Sequence, residues 1–212
     1  ELKHPDFEPQ ELPDAGEAFL AKLRSETAEL PMKSVLTLQG KVLDTQGRPI
    51  SGARVTRGQE WGIMGLEEGA TVETDAEGKF QFPRLAAGKM LVAAEASGFA
   101  PELQPAELRP GVRPLEFKLG TPKTIRGQVL DLTDRPLSGV QVRANEWRQF
   151  RYPDWKSKTD AEGRFVISNA PPDEVKFDFS KAGFMSVRMF ALPPSDSEHR
   201  INLGPSLRLH GK

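Results

Sequence analysis

The sequence predicts an all-β protein: two tandem β-sandwiches preceded by a short N-terminal helix. Three observations carry that prediction. A unit of about 85 residues is written twice. Short runs of apolar residues alternate with period two, the period of a half-buried strand. Glycine and proline, 19 and 18 of the 212 residues, separate those runs at turn spacing.

The repeat shows in whole phrases. GRPISGARV (Gly47 to Val55) returns 87 residues later as DRPLSGVQV (Asp134 to Val142). TDAEGKF (Thr74 to Phe80) returns after 85 as TDAEGRF (Thr159 to Phe165), and SGF at Ser97 returns after 85 as AGF at Ala182. FKLG at Phe117 returns after 84 as INLG at Ile201. Landmarks that keep order and spacing in this way mark a tandem duplication. The opening phrase LTLQGK (Leu36 to Lys41) occurs again at the end as LRLHGK (Leu207 to Lys212), so residues 206–212 read as the start of a truncated third repeat.

Taken in order, residues 1–33 form a linker plus helix. His4 to Pro13 is proline-spaced and extended. Asp14 with Glu17 makes a capping box, and Phe19, Leu20, Leu23, Thr27 and Leu30 line one side of a helix that Pro31 stops. Residues 1–30 hold eight acids and three bases, so this prefix carries −5 and the rest of the chain about +4. The helix is expected to pack on the first sandwich or to meet a partner. Strands follow at Val35 to Leu43, Ala53 to Arg57, Thr71 to Thr74, Lys79 to Phe82, Met90 to Ala96 and Leu115 to Leu119, the fourth with Phe80 and Phe82 on one face. Between the third and fourth, DAEG suits a short hairpin turn with Gly78 in the left-handed region. The second copy repeats these elements with Asp134 in place of the turn residue Gly47, a substitution that aspartate tolerates better than most residues.

The order G-x-V-x-D-x-x-G-x-P-[IL]-x-G-[AV]-x-V, then TDAEGxF, then a strand ending in S/A-G-F, resembles the carboxypeptidase regulatory-like domain. That resemblance implies a transthyretin-like, seven-stranded sandwich in each unit, with domains at 34–120 and 121–205. It also implies an extracytoplasmic bacterial setting, periplasmic, cell-surface or secreted, and a non-catalytic role. The related collagen-adhesin B-type repeats join a Lys on their first strand to an Asn on their last. Lys41 faces no such Asn in Phe117 to Leu119, and Asn202 faces no Lys at Arg126 or Gln128, so isopeptide bonds are not expected.

No reaction is written in the residues. The chain has no cysteine and three histidines, His4, His199 and His210, no two of which are expected to meet. Closely spaced zinc ligands, Ser or Cys triads and phosphate loops are missing, so no catalytic residue, metal or cofactor is expected. Asp75 with Glu77 and Asp160 with Glu162 read as turn chemistry, not as a calcium site. A formal net charge of −1 without a Lys/Arg cluster gives no nucleic-acid signature, and no apolar run is long enough to span a membrane.

One segment departs from this plain surface. WRQFRYPDW places Trp147, Phe150, Tyr152 and Trp155 in nine residues, with Arg148 and Arg151 between them. Three readings stand side by side: a satellite core that pins a long loop, a seal against a neighbouring unit, or an exposed platform for a protein or a glycan. The expected function is a rigid, non-catalytic spacer and interaction array in a larger envelope or secreted protein. Its partners would be the neighbouring domains of the same polypeptide. The alternatives are a carbohydrate-binding module using residues 147–155, or accessory domains of an enzyme encoded outside the fragment. The short connection Gly120 to Thr124, stiffened by Pro122, predicts a fixed angle between the units.

Overall fold

The computed structural model describes residues 7, 17–25, 27, 32–59, 71–150 and 155–206. After a helix α1 (Glu17–Arg24), the first unit contains β1 (Leu36–Asp44), β2 (Arg54–Gln59), β3 (Thr71–Glu73), β4 (Lys79–Leu85), β5 (Gly88–Glu95), β6 (Glu102–Leu108) and β7 (Leu115–Leu119). The second contains β8 (Lys123–Asp131), β9 (Gln141–Trp147), β10 (Lys156–Lys158), β11 (Arg164–Ala170), β12 (Val175–Ser180), β13 (Val187–Leu192) and β14 (His199–Leu203). Each unit is a sandwich of a three-stranded and a four-stranded sheet. The strand orders are β4-β1-β7 against β3-β2-β5-β6, then β11-β8-β14 against β10-β9-β12-β13. The last strand of each unit runs parallel to its first, β7 on β1 and β14 on β8, and the other pairings are antiparallel.

The string written twice is the corner where the chain leaves one sheet for the other. A single hairpin is the wrong description, because β3 pairs with β2 while β4 pairs with β1 in the opposite sheet. Thr74 makes the break. Its buried hydroxyl accepts a hydrogen bond from the Ala53 N–H (2.8 Å) and donates one to the Ile50 carbonyl (2.7 Å), which pulls the chain inward and satisfies three polar groups at once. Asp75 then closes the turn, its Oδ1 accepting from the backbone N–H groups of Glu77 and Lys79 at 3.0 and 2.7 Å. Gly78 has φ +70°, and a Cβ there would lie 2.5 Å from the Val42 carbonyl oxygen.

Phe80 enters the core directly opposite Gly40 on β1, where an added Cβ would fall on the Phe80 ring and lie 2.6 Å from the Leu115 carbonyl oxygen. The glycine of LTLQGK and the phenylalanine of TDAEGKF are therefore two halves of one contact. The second unit reproduces every part. The Thr159 hydroxyl bridges the Val140 N–H and the Leu137 carbonyl at 2.9 and 2.6 Å. Gly163 has φ +72° and lies as close to the Val129 carbonyl, and Phe165 sits over Gly127.

Phe80, Phe82 and Phe117 are buried in the first core, and Phe165, Ile167 and Phe179 in the second. Asp134 takes φ +61° where Gly47 takes +80°, as its place in the repeat requires. Asp44 and Asp131 stabilise these turns. The backbone N–H of Arg48 holds the Asp44 carboxyl below its usual range against the opposing effect of burial, and the Thr133 hydroxyl does the same for Asp131.

One further reading needs correction. The helix ends at Arg24 and does not include Thr27, whose N–H donates to the Lys22 carbonyl, the same carbonyl to which Ser25 Oγ donates. Leu20 and Leu23 remain exposed. The segment ELQPAEL is the strand β6 although it contains Pro105, which is tolerated because β6 is the edge of its sheet. Leu30 and the expected third-repeat strand at 207–212 lie outside the described residues.

Candidate functional site

The aromatic segment starts where β9 ends. The Trp147 N–H donates to the Phe150 carbonyl (2.8 Å) and the Phe150 N–H donates back (3.0 Å), which makes a two-residue turn. Arg148 and Gln149 occupy its centre at φ +51° and +71°, the geometry that Asn-Gly normally supplies. Two side-chain-bearing residues in the left-handed region are strained.

Arg148 anchors the strained turn. Its Nε donates to Asp173 Oδ2 at 2.7 Å, and the Trp147 indole N–H donates to the other oxygen of the same carboxylate at 2.9 Å. Its Nη1 reaches across to the first unit, where it donates to Glu102 and to the Leu103 carbonyl. The guanidinium lies 4.7 Å from the Trp147 ring centroid. Burial works against the charge, but the hydrogen bonds to Glu102 and Asp173 outweigh it and hold the Arg148 pKa above its ordinary value. One cation thus joins two carboxylates from different units.

The apolar contact runs the same way. Leu91 and Ala93 on β5 and Leu103 on β6 are buried, and they belong to the hydrophobic cluster of the second unit, with Trp147, and not to that of the first. Phe150 and Trp155 pack against this cluster half-buried. Beside it a cleft of about 420 Å³ opens between the units, lined by Arg54, Glu95, Phe99, Pro101, Trp155 and Asn169.

Of the six sequence candidates, Trp147 is fully buried and offers no face to a ligand. Arg148 is held by the first unit, and Phe150 and Trp155 line the junction. Arg151 and Tyr152 lie outside the described residues. Glu102, Asp173, Leu91, Ala93 and Leu103 were not foreseen. The signal for Leu91 and Ala93 was present in β5, whose run Met90 to Ala94 is continuously apolar, as a strand buried on both faces must be, whereas its repeat Val175 to Phe179 alternates.

Among the described residues no group of three or more His, Asp or Glu side chains is placed to hold a metal. His199 is tied by Nε2 to the Pro193 carbonyl at 2.8 Å. His4 and His210 lie outside the described residues. A cleft of about 730 Å³ opens on the first unit, with Lys41, Glu73, Asp75, Lys79 and Phe80 among the residues that line it. Asn202 Nδ2 donates to the Asp131 carbonyl. No described helix is long and apolar enough to cross a membrane.

A family model described as the carboxypeptidase regulatory-like domain matches residues 37–120 and again 124–203. No curated protein matches the chain significantly. Among solved structures the chain is similar to a streptococcal ancillary pilin, at 11% identity and a TM-score of 0.42 over 84% of this chain and 66% of that one. The TIE protein of Bacillus anthracis gives 16% and 0.35 over 81% and 34%, so the chain spans about a third of its length. The minor pilin of Streptococcus agalactiae gives 15% and 0.40 over 83% and 98%.

Proposed function

Given that the chain belongs to the carboxypeptidase regulatory-like domain family, in two tandem copies, we propose that it is a rigid, non-catalytic pair of modules with boundaries at 34–120 and 121–205. The pair sets the separation and angle between whatever lies on either side of it in a longer extracytoplasmic bacterial protein. The observation that carries this reading is the junction. Arg148 of the second unit ties Glu102 of the first to Asp173 of its own unit, above an apolar contact in which Leu91, Ala93 and Leu103 share the second unit's core. The connection supports it, since only residues 120–122 separate β7 from β8 and Pro122 is one of them. Without the junction two sandwiches on one chain would be a flexible pair, and the expected default would be relative motion. The extracytoplasmic setting comes from the family resemblance. Small-angle X-ray scattering tests the reading: one rigid two-unit arrangement should fit the wild-type curve, and Arg148→Ala should require a broader set of angles. A wild-type curve that needs a broad ensemble would refute it.

A further inference from the structure

The outer faces of the two four-stranded sheets are equivalent by repeat, yet their chemistry differs. In the first unit that face carries Thr56, Thr71, Glu73, Leu91 and Leu103, and the last two are covered by the second unit. At the corresponding offsets of 85 to 87 residues the second unit has Arg143, Lys156, Lys158, Lys176 and Arg188. The strand register confirms the equivalence: Thr56 lies opposite Thr71, and Arg143 opposite Lys156. The core side of the repeat is shared by both units, whereas the outer side of the second unit is the more basic, although it also carries Asp178.

Lys176 is paired with Glu146, and Asp178 is engaged by Asn145 Nδ2 and the Met189 N–H. Arg143, Lys156, Lys158 and Arg188 are exposed, with no ion-pair partner among the described residues. Lys181 joins them near Gly139, close to Lys158. Like charges directly opposite each other on neighbouring strands are destabilising. Lys156 facing Arg143 is therefore a cost that the fold carries without a structural gain. Adjacent strands and alternate residues space these cations about 5 and 7 Å apart on a flat surface, which suits a linear polymer with regularly spaced negative charges.

We propose that this face binds an acidic polysaccharide. Two observations favour a glycan over an acidic protein. Among the described residues, β9 and β10, which carry Arg143, Lys156 and Lys158, expose no large aromatic or aliphatic side chain of the kind that concentrates protein-binding energy, and Met189 and Phe190 are exposed only at the β13 edge. Beside the cations, Gln141 and Ser180 line a shallow depression of about 420 Å³ with Lys181, offering neutral hydrogen-bonding groups to sugar hydroxyls. The site is distinct from the aromatic segment and does not depend on the spacer reading.

Binding of the full chain to polygalacturonate tests it, with poly-L-glutamate and neutral dextran as comparators, at about 0.05 M salt where screening is weak. Wild type should bind polygalacturonate more tightly than poly-L-glutamate and should ignore dextran. Lys156→Glu with Lys158→Glu should weaken binding about tenfold or more, an effect of local field reversal. Lys156→Gln with Lys158→Gln should weaken it less, and the same charge reversal at Lys41 and Lys79 on the first unit should change it less than about twofold. An unchanged melting temperature would show that the variants are folded, and the glutamine pair replaces the glutamate pair if it falls. Absence of binding, an equal loss in the Lys41/Lys79 variant, or poly-L-glutamate binding as tightly as the glycan would each overturn the proposal.

Discussion

Gly163→Ala tests the account of the repeated TDAEG string, because the same substitution at Gly183 supplies its control. Both glycines lie in the left-handed region, at φ +72° and +87°. An alanine at either position meets the intrinsic strain of that region, about 1–2 kcal/mol. At Gly183 nothing lies within 4 Å of the added Cβ, so strain is the whole effect. At Gly163 the Cβ would sit 2.5 Å from the Val129 carbonyl oxygen and 3.1 Å from the Leu137 nitrogen, both backbone atoms that cannot swing aside. The corner must open, which weakens the hydrogen bond from the Val129 N–H to the Gly163 carbonyl, now 2.8 Å. A lost backbone hydrogen bond together with displaced packing adds about 2–3 kcal/mol, for a total of about 3–5 against about 1–2 at Gly183. Urea denaturation followed by tryptophan fluorescence reads the right unit, since Trp147 is buried in the second core. With a urea dependence of about 1–3 kcal/mol per molar, the two midpoints should differ by about 1 M or more. Midpoints within about 0.3 M of each other would show that the close approach at the corner is not what the glycine is for.

Other outcomes follow from the same geometry. Thr159→Val removes the hydroxyl that serves the Val140 N–H and the Leu137 carbonyl, leaving both buried and unpaired, and urea denaturation should show a loss of about 2–3 kcal/mol. Asp44 and Asp131 have folded pKa values below the usual 3.8, so the unfolded chain takes up protons first as the medium is acidified. Their contribution is present above that value and is lost as pH falls through the folded values. Melting temperature should drop on acidification below about pH 4, and Asp44→Asn with Asp131→Asn should flatten that drop while lowering stability at neutral pH.

Much of the fold was legible because the duplication is tight where the physics is strict. The letters of TDAEGxF divide the work between them. Thr supplies a satisfied buried hydroxyl, Asp a turn carboxylate, Gly a left-handed residue against a carbonyl, and Phe a ring over a glycine on the next strand. The hairpin reading failed because partners distant in sequence, β2 for β3 and β1 for β4, and not the turn itself, decide whether two strands share a sheet. Pro105 concealed β6, since an edge strand tolerates a residue that a central strand rejects. The junction was harder to see. Its turn uses Arg148 and Gln149 in conformations that sequence rules reserve for Asn and Gly, and the compensation comes from Glu102, 46 residues away. The continuous apolar run in β5 was the one local hint that a strand of the first unit is buried on both sides.

A fixed relation between the two units is read by a distance measured across them. The chain has no cysteine, so two can be introduced without background: Gln81→Cys on β4 and Ser168→Cys on β11, both at exposed positions of different units. Spin labels at these sites, measured by double electron–electron resonance, should give a single narrow distance distribution. Adding Arg148→Ala should broaden it by releasing Glu102. A broad or multi-peaked distribution in the chain with Arg148 intact would contradict the account, because the junction would then not hold the units at one angle.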